Sequence, residues 1–214
     1  MDKKENDKIK SGKPLRILES DDYIVRSECA ISILKSKLQI INSELSLISG
    51  RKVITTISGR TKTIDSTRIK LIKRKLALNF ETAVEKINDL VGVRAVCNFQ
   101  DDIYRVKDVL LSHQDVELVQ KKDYIEKPKS SGYRSLHLIV KVPIYFADGP
   151  QWIKVEVQLR TAAMNFWAEL DHQLRYKKGH KEAELIGEEL KKYSADIAKV
   201  DKRMMELREK IEAI

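Results

Sequence analysis

Apolar residues recur at helical spacing from Ile24 through Cys29, Ile31, Leu34, Leu38, Ile41 and Leu45 to Ile48. This stripe predicts a long amphipathic helix over residues 21–48, and Gly50 stands where such a helix would stop. Residues 65–77 read as a second, basic helix with Asp65 or Ser66 near its start. The pattern then changes. Val91-Gly-Val-Arg-Ala-Val-Cys-Asn-Phe99 is nearly unbroken apolar sequence, as expected of a buried strand. Ile103, Val106, Val109 and Leu110 restore helical spacing over 101–113. Leu136, Leu138, Val140 and Val142 alternate with His137, Ile139 and Lys141, and Val155, Val157 and Leu159 alternate with Glu156, Gln158 and Arg160. Both runs predict strands with one face in a core. From Thr161 the stripe Met164, Trp167, Leu170 and Leu174 predicts another helix, and a charged helix follows from about Glu182 to Ile214.

The order helix, helix, strand, helix, strands, helices argues an α+β fold, a mixed sheet of about five strands with helices packed on it. At 214 residues the chain fits one such domain. The expected organisation is a flexible basic tail over 1–19, the domain over 20–181, and a C-terminal helix over 182–214 suited to oligomerisation. Residues up to Arg16 are polar, so they form neither a signal peptide nor a membrane span. Cys29 and Cys97 lie far apart in apolar contexts and read as buried thiols, which fits a cytoplasmic protein.

Charge adds a partner. The net charge of +9 points to an anionic one, and nine Lys and Arg between Arg51 and Lys75 face a single acid, Asp65. A run of this kind is often just a solvated face, but Arg60, Lys62, Ser66 and Lys70 are spaced to converge on one ligand. On the later strand, Glu156, Gln158 and Arg160 form a row with roughly 6–7 Å between neighbours. Asp89 precedes the Val91–Phe99 strand, where a carboxylate can reach a cleft at the sheet edge. Two carboxylates from neighbouring strands are a minimal holder for Mg²⁺, with phosphate oxygens as the other ligands. The plainer readings are a solvated strand face for the row and a turn residue for Asp89. Residues 121–135 form a basic loop in which Lys121, Lys122, Lys127, Lys129 and Arg134 accompany Gly132 and Tyr133. Glycine lets backbone approach a ligand, and a tyrosine ring can meet a base. His137 falls on the face opposite Leu136 and Leu138.

Arg60-Thr-Lys62…Ser66…Lys70, Asp89-Leu-Val-Gly-Val-Arg94, Asp123-Tyr-Ile…Pro-Lys129…Gly-Tyr133-Arg-Ser-Leu-His137 and Glu156-Val-Gln158-Leu-Arg160-Thr161 occur in that order. Together they resemble the synthetase domain of the RelA/SpoT family of guanosine tetra- and pentaphosphate synthetases, over roughly residues 20–200. With no hydrolase or regulatory domain attached, the chain looks like a small alarmone synthetase of nucleotidyltransferase-like fold. The resemblance implies a Mg²⁺-dependent pyrophosphokinase that moves the β,γ-diphosphate of ATP to the ribose 3′-hydroxyl of GDP or GTP, or of GMP, releasing AMP. It implies that Arg60 and Arg94 sandwich adenine while Lys62, Ser66 and Lys70 hold ATP phosphates. Asp89 and Glu156 would hold the metal, and Glu156 would also take the 3′-hydroxyl proton. Tyr133 would stack on guanine, Lys129, Ser131, His137 and Gln158 would line the acceptor side, and Asn165 and Ala168 would lie near its base. It further implies a homo-oligomer, a tetramer foremost. The four histidines form no His-Asp pair of the family's hydrolase type, so no alarmone hydrolysis is expected. The loop reads Lys129-Ser130-Ser131-Gly132 where the family often has Pro-Asn in place of Ser-Ser, which leaves the preferred guanine nucleotide open. Two other readings compete: transfer by the same scaffold to an adenine nucleotide or a tRNA end, and a non-catalytic RNA-binding module.

Overall fold

The structure, a computed structural model, describes residues 12–176 and 180–213, with the side chains of all of these except 175–185. Helix α1 spans Asp21–Ser49. The Ser20 hydroxyl caps it by accepting from the Tyr23 amide at 3.3 Å, and Asp21 and Asp22 complement the positive end of its dipole. Gly50 ends it in the left-handed conformation, φ 63°, which a residue with a side chain rarely adopts. Leu34, Leu38 and Ile41 are fully buried, but Ile48 at the end of the stripe is 67% exposed. A straight helix rotates a 3.5-spaced stripe by about 20° per heptad, and by the last turn Ile48 has left the core.

Strand β1, Ile54–Thr61, falls in the basic stretch and has no counterpart in the hydrophobic pattern. It is an edge strand with only Ile54 buried, so its sequence carries almost no apolar alternation. Helix α2, Ile64–Lys73, starts slightly earlier than the pattern suggests because Thr63 is its cap. The short helix α3, Phe80–Lys86, was also not apparent in the pattern, and is capped by Asn79. Then come β2 (Val91–Cys97), α4 (Gln100–Ser112), β3 (Glu117–Asp123), β4 (Leu136–Phe146), β5 (Gly149–Thr161), α5 (Ala162–Tyr176) and α6 (His180–Glu212). Lys121 and Lys122, expected in a loop, belong to β3, a second edge strand that is largely exposed.

The sheet is mixed, in the order β1-β2-β5-β4-β3, with β2 and β5 parallel and the other pairs antiparallel. Its residues Val93, Ala95, Leu138, Val140, Val155, Val157 and Leu159 join Leu34, Leu38 and Ile41 of α1 and Ile103, Val106 and Leu110 of α4 in the main core. Gly59 of β1 lies directly against the Ile31 side chain, where a Cβ would collide, so β1 is drawn close to α1. The alternate residues of the same strands face away from this core. They build the site.

A smaller apolar cluster joins Leu15 and Leu18, on a 3-10 turn over Leu15–Glu19, to Leu71, Ala83, Ile87 and Leu90. The end of the expected flexible tail is therefore packed, and residues 1–11 lie outside the described residues. This cluster seats α2 and the segment before β2 against each other, which sets the reach of Lys70 toward Asp89.

Candidate active site

Strand register brings the polar residues together. Arg60 of β1 is opposite Gly92 of β2, which is opposite Glu156 of β5. One step along, Ser58, Arg94, Gln158 and His137 form a row across four strands. Having no side chain, Gly92 leaves open the space between Arg60 and Glu156. A cavity of ≈ 190 Å³ lies there, lined by Arg60, Asp89, Gly92, Arg94, Glu156 and Gln158 among others. A second of ≈ 700 Å³ shares Arg60, Arg94 and Gln158 with it and extends to Tyr133, Arg160, Ala168 and Glu169. The two make one cleft with a narrow and a wide half.

In the narrow half Asp89 is held by two ammonium groups, Lys70 Nζ at 2.7 Å from Oδ1 and Lys62 Nζ at 3.1 Å from Oδ2. Burial pushes its carboxyl up, but the two lysines outweigh burial and hold it below the usual carboxylate range. Ser66 sits exposed in the first turn of α2, where its amide and hydroxyl are tied to Thr63. It lies near the lysines in sequence but lines neither half of the cleft.

Glu156 is the other carboxylate. Its Oε1 is 3.0 Å from His137 Nδ1, and its Oε2 accepts from Gln158 Nε2 at 2.7 Å. Burial raises its carboxyl, yet His137 and then Gln158 prevail, with Asp89 opposing them, so it too lies below the usual range. The contacts continue outward. His137 Nε2 is 2.8 Å from the Tyr133 hydroxyl, which accepts from Arg160 at 2.6 Å. One assignment of protons gives every donor an acceptor: Arg160 to Tyr133, Tyr133 O–H to His137 Nε2, and His137 Nδ1–H to Glu156.

The acceptor-side residues gather around this chain. Lys129 Nζ lies 4.6 Å from the ring centroids of both Tyr124 and Tyr133. Ser131 turns inward on its own loop, where its hydroxyl accepts weakly from the Tyr133 amide at 3.4 Å. Asn165 lines neither half but ties together residues of the wide one: its Oδ1 accepts from Arg94 at 3.2 Å and from Arg160 at 3.4 Å, and its Nδ2 donates to Glu169 at 2.9 Å. Burial, followed by the charges of Arg160 and Arg60, pushes Arg94 down. Arg94 and Arg160 each also keep a buried Nε without a hydrogen-bond partner. Crowded cations with spare donors suit an anionic ligand.

A family model described as the region found in RelA and SpoT proteins matches residues 59–181, more than half of the chain. The chain belongs to the RelA/SpoT family. It is 38% identical to the GTP pyrophosphokinase YwaC of Bacillus subtilis over 184 residues, which are 86% of this chain and 87% of YwaC. It is 34% identical to the GTP pyrophosphokinase YjbM of the same organism over 190 residues, 89% of each chain. The crystal structure of small alarmone synthetase 1 from Bacillus subtilis, bound to its product pppGpp, superposes with a TM-score of 0.80 at 33% identity, covering 90% of this chain and 97% of that one. The RelA/SpoT region contains every site residue that the sequence motifs implied.

Among the cleft residues that sequence reasoning left without a role are Arg160 and Glu169. Arg160 stood in the period-2 row with Glu156 and Gln158, and that alternation could have placed it there. Glu169 is one helical turn beyond Asn165, and ion pairing to Arg94 at 3.6 Å makes it the acid that balances the arginines. Only the fold reveals that pairing.

Proposed function

We propose that the chain is a GTP pyrophosphokinase that makes guanosine tetra- or pentaphosphate from ATP and GDP or GTP. The observation that carries this reading is the placement of Asp89 and Glu156 in one cavity beside Arg60 and Arg94, with Lys62 and Lys70 on Asp89 and Lys129 beside Tyr133. Diphosphate transfer depends mainly on positioning and charge neutralisation, which such a ring of cations supplies.

In this reading Arg60 and Arg94 take the adenine, and Lys62, Lys70 and Ser66 take the phosphates of ATP. Tyr133 and Lys129 hold the guanine nucleotide in the wide half, with Gln158, Asn165 and Ala168 around it. The acceptor's 3′-hydroxyl gives its proton to Glu156 and its oxygen bonds to the β-phosphorus. The bond from that phosphorus to the bridging oxygen of the α-phosphate breaks, and AMP leaves. His137 orients the Glu156 carboxylate during the step.

Among the described residues no group of three or more His, Cys, Asp or Glu side chains could hold a metal ion. Two carboxylates in one cavity nevertheless fit Mg²⁺ that arrives with phosphate oxygens as its remaining ligands. Asp89 and Glu156 would hold it, and it would neutralise charge on the transferred group. We extend the proposal to a cytoplasmic enzyme without alarmone hydrolase activity. No helix among the described residues is long and apolar enough to cross a membrane. We also extend it to a homo-oligomer, with a tetramer as the expected form. Supporting that extension, α6 turns Tyr193, Val200, Met204, Leu207 and Ile211 to solvent in a heptad-like stripe.

Anion-exchange chromatography of ATP incubated with GMP, GDP or GTP, Mg²⁺ and the protein tests the reading. A guanosine product with two added phosphates and matching AMP is expected. If AMP forms only when tRNA or an adenine nucleotide is the acceptor, the guanine assignment fails.

A further inference from the structure

The inner face of α6 interrupts its apolar residues, Leu190, Ile197 and Ala198, with two polar ones. Ser194 and Asp201, each next in sequence to a residue of the exposed apolar stripe, are only 5% and 9% exposed. Burying a hydroxyl and a carboxylate is unfavourable unless each finds a partner. Both do. The Ser194 hydroxyl donates to the carbonyl oxygen of Gly132, and Asp201 Oδ2 accepts from Thr161 Oγ1 at 2.7 Å.

These partners belong to the acceptor side of the cleft. Gly132 is the turn residue of the loop that carries Lys129 and Tyr133, and Thr161 ends the strand that carries Glu156, Gln158 and Arg160. The loop's own bonds, Gly132 N–H to Lys129 O at 2.8 Å and Lys129 N–H to Tyr133 O at 3.2 Å, fix its shape but not its position. The Tyr133 hydroxyl is held at the sheet by His137 and Arg160, and the backbone of the turn is held by α6. Gly132 has φ 91°, a conformation that glycine tolerates, and its Cα packs so closely that a Cβ would lie 2.9 Å from Ser194 Cβ and 3.3 Å from Lys191 Cα. Asp201 meanwhile holds Thr161, whose Oγ1 accepts from the Met164 amide at 3.1 Å and so caps α5, the helix bearing Asn165 and Ala168.

We infer that Ser194 is a positioning residue for acceptor binding: it anchors the Lys129–Tyr133 loop from α6 and thereby places the Tyr133 ring. Ser194 lies beyond the region shared by RelA and SpoT proteins. This makes the C-terminal helix part of the guanine-nucleotide site, in addition to any role in self-association. Lys62, Lys70 and Asp89 make no contact with α6 among the described interactions, so the ATP side does not depend on this anchor. The inference rests on the assignment of the wide half of the cleft to the acceptor.

The test compares Ser194→Ala and Ser194→Cys with the unaltered protein, by steady-state kinetics in each substrate and by hydrogen exchange of the 129–133 amides. Loss of one hydrogen bond predicts a rise of about fivefold in KM for the guanine nucleotide in Ser194→Ala, with KM for ATP unchanged. Ser194→Cys, a weaker donor, should fall between the two, and the loop amides should exchange faster in the same order. Equal rises in both KM values, or unchanged loop exchange, would overturn the inference. Faster loop exchange without a change in acceptor KM would overturn it as well. If the unaltered protein forms no product with any guanine nucleotide, the proposed function fails, while loop exchange still reports whether Ser194 anchors the loop.

Discussion

The Nδ1 atom of His137 lies 3.0 Å from the Glu156 carboxylate, and this contact is a main reason that the buried acid stays ionised. Burial alone would raise the Glu156 carboxyl, as would Asp89, while His137 and Gln158 act the other way. The sign for His137→Gln follows. Without the imidazole, burial gains ground and the carboxyl moves up. The acid limb of the kcat/KM profile should therefore shift toward neutral pH. A lower plateau with an unmoved limb would mean that His137 serves only to bind substrate.

Asp89 is expected to fail differently. Its two oxygens hold Lys70 and Lys62, the lysines assigned to the ATP phosphates. Asp89→Asn removes both the proposed metal ligand and the anchor of those lysines, so transfer should fall by about 100-fold or more. Chelating Mg²⁺ should stop the unaltered protein, and adding it back should restore turnover. Turnover that persists in excess chelator would remove the metal from the account.

Tyr133 separates ring from hydroxyl. Tyr133→Ala should raise KM for the guanine nucleotide more than KM for ATP, since the ring is assigned to guanine. Tyr133→Phe keeps the ring but breaks the contacts to His137 and Arg160. It should retain acceptor affinity better than Tyr133→Ala. Equal losses for both substrates in Tyr133→Ala would make the ring a packing element.

Away from the cleft, Arg51 forms two bonds with Asp102, at 2.7 and 3.0 Å, and the Asp102 side chain is 0% exposed. Arg51→Ala leaves that carboxylate buried with Arg105, 3.7 Å away, as its remaining cationic neighbour among the described residues. A loss of about 3 kcal/mol is expected, or a fall in Tm of about 6–12 °C, measured by calorimetry. A Tm within a degree of the unaltered protein would show that Arg105 takes over.

Those elements that bury a continuous apolar face were legible in the sequence. The stripe of α1, the apolar run of β2 and the alternation of β4 and β5 all report the core directly. Edge strands β1 and β3 bury little, so Ile54–Thr61 reads as polar sequence and Lys121 and Lys122 read as loop. In the site, the residues of the ordered motifs all fall within the family region, and most line the cleft or touch residues that do. What the motifs could not give are the partners: that Asp89 is shared by Lys62 and Lys70, that Asn165 ties Arg94 to Arg160, and that Gly132 rests on Ser194. Each joins residues distant in the chain through packing that periodicity does not encode.

The central claim is that Glu156 promotes attack by the acceptor's 3′-hydroxyl on the β-phosphorus of ATP. AMP release measured with GDP and with 3′-deoxy-GDP, for the unaltered protein and for Glu156→Gln, tests it most directly. The expected result is AMP from the unaltered protein with GDP alone, and a rate at least about 100-fold lower in Glu156→Gln, which still binds ATP. AMP release with 3′-deoxy-GDP, or near-normal turnover by Glu156→Gln, would contradict it.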